Sequence, residues 1–142
     1  MNKKNNKGRH TVYTDKLANP FGVFSQAVKW VSDNEDLIFV SGQVARNVTG
    51  EVVGVGDIKA QTVQAIENLK SVLQEAGATL EDVVKVTVYI TDMKNLSQVH
   101  EVRGQYWKDK YPSSTLIEVK GFVNEDFLIE IEAVAIVGHF KV

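Results

Sequence analysis

An α+β domain is what this sequence predicts, with two helices set against a sheet of five or six strands. Three observations carry that expectation. Two stretches place apolar residues at steps of three and four, the period of a helix with one buried stripe. Several shorter stretches alternate apolar with polar residues, or run continuously apolar between turn residues, as strands do. The chain has 142 residues, 44% of them hydrophobic, and no cysteine. It therefore suits a single core held by packing alone, with neither disulfides nor a thiolate metal site.

The elements follow in order. Residues 1–9 are rich in Lys and Asn (Lys3, Lys4, Lys7, Arg9), carry nothing to bury and are expected to form a mobile tail, leaving 10–142 as one domain. His10–Thr14 alternates as a short leading strand would, and Pro20 and Gly22 then interrupt the chain. Phe24–Val31 and the apolar run Leu37–Val40 read as a hairpin around the polar turn 32–36, and 47–56 as a loop. A long helix is predicted from Asp57 to Gly77. Its stripe is Val63, Ile66, Leu69, Val72, Leu73 and Ala76, and Gly77 takes a positive φ at little cost. Thr79–Asp82 resembles a capped turn.

Val83–Thr91 is expected to be a strand with Val84, Val86, Val88 and Ile90 under the helices and Val83, Lys85, Thr87 and Tyr89 opposite. The second helix spans Lys94–Lys110 along Leu96, Val99, Tyr106 and Trp107, with Pro112 just beyond it. Ser114–Lys120 and Phe127–Val137 are the last two strands. If they pair as a hairpin, Glu130 and Glu132 lie near Ser114, Leu116 and Glu118.

Two helices cover one face of such a sheet and no more. The other face then mixes Leu116, Leu128, Val134 and Ile136 with Glu118, Glu130, Glu132 and Lys85. Such a surface suits contact between copies of the chain, with polar pockets at its edges. A partly solvated antiparallel face is the alternative.

A net charge of -2 without a basic stripe gives no electrostatic reason to expect a nucleic acid. No apolar run reaches membrane-spanning length, and Met1-Asn2-Lys3-Lys4 leads into no apolar segment, so a cytoplasmic protein is expected. There is no phosphate-binding glycine loop, and His10, His100 and His139 are too scattered to suggest a metal site. No cofactor is expected. Ser41, in Val40-Ser41-Gly42-Gln43, lacks the pattern of a nucleophile elbow. An enzyme built from this chain is restricted to acid-base chemistry on an already reactive substrate, such as its hydrolysis. Two readings of Glu130 stand. A carboxylate on a covered apolar face loses hydration, rises in pKa and becomes a proton donor near neutral pH. Alternatively it pairs with a cation and holds an interface, the role expected of Glu132 with Lys85, Lys120 or a neighbouring subunit.

Three short motifs in this order are specific together: Phe39-Val40-Ser41-Gly42-Gln43, Val86-Thr87-Val88-Tyr89-Ile90-Thr91-Asp92, and Ile129-Glu130-Ile131-Glu132-Ala133-Val134-Ala135. With them the chain resembles the RidA (YjgF-like) family of enamine/imine deaminases from about His10 to Val137. The resemblance implies a chorismate-mutase-like fold, a mixed sheet with two helices on one face, assembled as a homotrimer with ligand pockets between subunits. It implies hydrolysis of small enamines or imines to keto acids and ammonia without a cofactor. Glu130 matches the family glutamate that holds or activates water, and Ser41 and Gly42 match its backbone donors. Phe24 stands where the family has a tyrosine, His100 where it has an asparagine, and Leu116 where a cysteine is frequent. Ser114 replaces the arginine that forks onto the substrate carboxylate. Either the substrate lacks that carboxylate or another cation serves, and Arg103, one turn from His100, is the candidate. Arg103 reaching the surface or pairing with a carboxylate is the plain alternative. A small-molecule sensor on the same scaffold is the alternative to an enzyme.

Overall fold

A computed structural model describes residues 6–140. The strands are β1 (Gly8–Val12), β2 (Ala27–Val31), β3 (Glu35–Val44), β4 (Val83–Ile90), β5 (Ser113–Glu118) and β6 (Ile129–Gly138), and the helices are α1 (Ile58–Glu75) and α2 (Leu96–Tyr106). They form one six-stranded sheet in the order β1-β2-β3-β6-β4-β5. Every neighbouring pair is antiparallel except β4 and β5, which run parallel on either side of the α2 crossover. The fold is the expected α+β arrangement, a mixed sheet with its core between strands and helices.

α1 begins where the Asp57 carboxylate accepts the Ala60 N–H at 3.0 Å. It ends at Ala76, after which Gly77 turns the chain with φ 86°. Lys29 of β2 closes that end by donating to the Ala76 carbonyl at 2.8 Å while pairing with Asp36 at 3.0 Å. The buried stripe runs through Ile58, Ala65, Ile66, Leu69, Val72 and Leu73, whereas Val63 lies at the exposed margin. The turn before β4 carries a full capping box between Thr79 and Asp82.

Several expectations are corrected. β1 begins at Gly8 and takes in Arg9, both assigned to the tail, and Lys7 pairs with Asp33 at 2.7 Å. The first five residues of the expected tail lie outside the described residues. Phe24 precedes β2 rather than opening it. Leu37–Val40 alternates instead of being buried throughout, with Phe39 half exposed beside fully buried Ile38. A bulge between Val83 and Lys85 inverts the start of β4, so that Val83 is buried and Val84 faces out. Most consequentially, β5 and β6 do not pair, because β4 lies between them. Ser114 sits beside Val86 and Leu116 beside Val88, both on the helix face, and Glu118 accepts the Met93 N–H ahead of α2. Leu116 and Glu118 therefore leave the outer face. Lys85, Thr87, Glu132, Val134 and Ile136 remain there, with Trp30 and Phe39 each half exposed across the sheet.

Candidate functional site

The register between β3 and β6 jumps between Val40 and Gln43, leaving one extra residue on β3 at Ser41–Gly42. Such a bulge bends a strand and re-aims its side chains. It is pinned on one side, where Ser41 Oγ donates to the Ser25 carbonyl at 2.6 Å and Ser41 N–H to the Gln26 carbonyl at 3.0 Å. On the other, Asn68 of α1 donates to the carbonyls of Val44 and Arg46 at 3.0 and 2.9 Å.

Glu130, opposite Val44 on one side and Tyr89 on the other, leans its carboxylate over Gly42. A Cβ placed on Gly42 would stand 2.1 Å from Glu130 Oε1, so the absence of a side chain is what makes room for the carboxylate. A cavity of about 640 Å³ opens in front of them, walled by Phe21, Phe24, Gln26 and Arg46. The two phenylalanines meet edge to face at 5.6 Å, and the Arg46 guanidinium lies 4.9 Å from the Phe21 ring centre. Buried Gln26 ties down the preceding segment, accepting the Thr14 N–H at 2.6 Å and donating to its carbonyl at 3.2 Å.

Burial pushes the Glu130 carboxyl above the usual glutamate range, and the Glu132 charge two residues along the same face pushes the same way. Glu132 accepts the Tyr89 hydroxyl, which holds that phenol proton and raises its pKa. Among the described residues Glu132 forms no ion pair with Lys85 or Lys120, and within the chain its partner is the Tyr89 phenol. The outcome is a half-buried carboxylate with raised proton affinity, facing space, beside a serine hydroxyl. Such a group can hold a water molecule and is a stronger base toward it than an exposed glutamate.

A second cluster forms at the far edge of the sheet. His100 and Arg103 on α2, with Ser114 on β5, line an open cavity of about 340 Å³ bordered by Trp107, Tyr111 and Pro112. Arg103 Nη2 donates to Ser114 Oγ at 3.0 Å. The sequence-derived residues thus fall into two groups, Phe24, Ser41, Gly42 and Glu130 in one and His100, Arg103 and Ser114 in the other. Leu116 lines neither cavity and packs against the core. Sequence reasoning missed Phe21, Gln26, Arg46 and Asn68, which carry no periodic signal. It also missed Tyr89 as a partner of Glu132, a pairing that follows once β4 is placed beside β6. Among the described residues no group of three or more His, Asp or Glu side chains is arranged to hold a metal ion, and no helix is long and apolar enough to cross a membrane.

Comparison with known proteins agrees with this architecture. The family model for endoribonuclease L-PSP matches residues 14–137. A RutC family protein of Pyrococcus abyssi is 43% identical over 128 residues, spanning 89% of this chain and 96% of the relative. The crystal structure of RidA from an Antarctic Psychrobacter superposes with a TM-score of 0.82 at 32% identity, covering 90% of this chain and 99% of that one. Escherichia coli TdcF with bound serine superposes at 0.79 with 28% identity, covering 90% and 98%. With its three motifs, its six-stranded mixed sheet and this match along nearly its whole length, the chain belongs to the RidA (YjgF-like) family.

Proposed function

We propose that this protein is a cofactor-free hydrolase of small enamines and imines, releasing a keto compound and ammonia, with its sites assembled between copies in a homotrimer. The observation that carries this reading is the Glu130 carboxylate, seated over Gly42 in an open cavity with its proton affinity raised. An enamine first takes a proton from solvent on carbon to become an iminium ion. Ionised Glu130 accepts a proton as water adds to the iminium carbon, giving a carbinolamine. Glu130 returns that proton to the nitrogen. The C–N bond then breaks as C=O forms, and ammonium leaves with the hydroxyl proton. Ser41 and the backbone at Gly42 orient the reacting group.

The inter-copy arrangement is supported by the division of the residues. Each cavity holds half of a plausible site, one with the proton-transfer group and one with the cation. The sheet face without helices presents Trp30, Phe39 and Ile136, each at least 40% exposed. Contact between copies would cover that apolar surface. TdcF holding serine in its crystal supports a ligand of amino-acid size.

Complementation tests both parts together. Glu130→Gln removes the base, and Ser114→Trp fills the second cavity whatever its chemistry. Each homo-oligomer is expected to lose hydrolysis of 2-aminoacrylate generated from serine by a dehydratase. In an equal mixture, refolded to exchange subunits, each interface draws its two halves independently, so roughly a quarter of the wild-type rate returns. Zero recovery places both halves in one copy, and full activity of Glu130→Gln removes the mechanism.

A second reading, a non-catalytic sensor on the same scaffold, is favoured by Phe24 and Ser114, which offer neither a phenol nor a charge at those positions. Saturable ligand binding without turnover of any imine supports it.

A further inference from the structure

Arg103 is a half-buried cation with an unusual environment. Burial alone holds its guanidinium below the ordinary arginine value, with no carboxylate offsetting the cost. Among the described residues no Asp or Glu stands within salt-bridge distance of it. Its side-chain hydrogen bond goes to a neutral hydroxyl, Ser114 Oγ, at 3.0 Å. That single contact fixes one nitrogen of a planar fork that carries five N–H donors in all. Desolvating a cation without a counter-charge is expensive, and the expense is recovered when an anion arrives.

The surroundings are built rather than incidental. Trp107 is buried and donates its indole N–H to the Leu80 carbonyl at 3.0 Å. The Tyr111 hydroxyl donates to the Lys108 carbonyl at 3.1 Å, which closes the turn after α2. Pro112 follows and leads directly into β5. Arg103 and Ser114 therefore meet at the wall of a cavity with flat apolar surfaces on its other sides, and His100 offers a ring nitrogen one turn away. Its volume of about 340 Å³ lies at the small end of the range for ligand sites.

We infer that Arg103, steadied by Ser114, is an anion-binding residue whose ligand is a small carboxylate bearing a flat apolar group that lies against Tyr111 and Pro112. The inference rests on the proposed function only in placing this ligand as the substrate, since binding itself requires no turnover. It narrows that function to imines derived from amino acids with aromatic or similarly flat side chains. Ser114 contributes by leaving the strand position uncharged and small, so that the cation comes from the helix and the space before β5 stays open. Arg103 recognises the planar carboxylate with two parallel N–H bonds, a geometry that a lysine ammonium cannot reproduce.

The test is calorimetric titration of the full-length oligomer with phenylacetate, acetate and the neutral isostere phenylacetamide. Phenylacetate is expected to bind saturably and at least about tenfold more tightly than either of the others, as a charge-assisted bond and a buried ring together require. Arg103→Met should weaken phenylacetate by about ten- to a hundredfold without changing phenylacetamide. Arg103→Lys should recover only part of that loss. Thermal unfolding of each variant separates lost binding from lost fold, and Ser114→Ala, which leaves the cation in place but unsteadied, gives a milder loss in a variant with little packing to lose. Equal affinity for phenylacetate and phenylacetamide, wild-type affinity in Arg103→Met, or no phenylacetate binding to the native protein would each overturn the assignment. Phenylacetate matched by acetate would remove the apolar half of it. Glu130→Gln tells the two ideas apart, because it should keep phenylacetate affinity within about twofold while ending turnover. A protein that binds carboxylates through Arg103 yet hydrolyses no imine keeps this inference and loses the enzymatic reading.

Discussion

Gly42→Ala isolates the geometry on which the proposed catalysis depends. The new methyl carbon would meet Glu130 Oε1 at 2.1 Å, Cδ at 2.8 Å and Cγ at 2.9 Å. Ordinary van der Waals contact begins near 3.4 Å, so the carboxylate must retreat by about 1.3 Å. Gly42 lies outside the positive-φ region, so alanine meets no left-handed backbone strain there. The atoms that must yield belong to the flexible end of a half-buried side chain, so the fold should lose less than about 1 kcal/mol. Catalysis is less forgiving. Misplacing a reacting group by about 1 Å can cost on the order of a hundredfold, equivalent to about 2.7 kcal/mol of barrier. Turnover of 2-aminoacrylate should therefore fall about a hundredfold in kcat while the thermal midpoint moves by only a few degrees. Activity within threefold of wild type would show that Glu130 does not act from its seat over Gly42. A collapse in stability would show that the glycine serves packing instead.

Three further outcomes are expected. Glu130 has a higher pKa folded than unfolded, so the native state holds its proton more tightly and stability should fall as pH rises from the unfolded glutamate value through the folded one; Glu130→Gln flattens that slope in denaturant melts between pH 4 and 8, and an unchanged slope refutes the burial argument. Phe39→Glu, on the half-exposed outer face, should yield a folded monomer without imine turnover, read by analytical ultracentrifugation, and an intact trimer would exclude that face from the interface. Lys29→Met strips the buried Asp36 carboxylate of its lysine partner, leaving His139 Nε2 at 3.1 Å, and the Ala76 carbonyl of its donor, for a loss of about 2 kcal/mol in urea unfolding that Asp36→Asn in the same chain should partly restore.

The parts of this molecule that were legible in the sequence are those decided within one turn or one strand. α1 could be read almost to its ends because Asp57 caps it and Gly77 stops it. The inward set of β6, from Ile129 to Ala135, followed from alternation alone. Pairing is a long-range property, and there local reasoning failed. Adjacency suggested a β5–β6 hairpin, although the connection across 119–128 is longer than hairpin loops favour and long enough to cross β4. One misplaced strand then moved Leu116 and Glu118 to the wrong face. The bulge at Val83–Lys85 inverted a face that alternation had assigned by parity, because an extra residue breaks the period of two. The meeting of Phe21, Phe24 and Arg46 in front of Glu130 was illegible for a different reason. It joins two irregular segments whose geometry is set by single hydrogen bonds, such as Arg46 to the Asn19 carbonyl at 3.1 Å.

The separation of the two cavities bears on how a protein of this architecture changes what it accepts. Glu130 stands on an interior strand with partners on both sides, and Gly42 leaves its carboxylate little freedom to move without losing its seat. A substitution there bears first on the proposed chemistry. Arg103 and Ser114 stand instead at the rim, one on a short helix and one on the outermost strand, joined by one hydrogen bond. The guanidinium already lies within hydrogen-bonding distance of the β5 side chain from which a strand-borne arginine would extend. Charge can therefore be carried by either element while remaining in nearly the same place, and what differs is the volume left in front of β5. Arg103→Ser combined with Ser114→Arg should on that account preserve carboxylate binding but reverse the preference from phenylacetate toward acetate. If the exchange abolished both, the position of the charge would have to be set by α2 itself rather than by the cavity it faces.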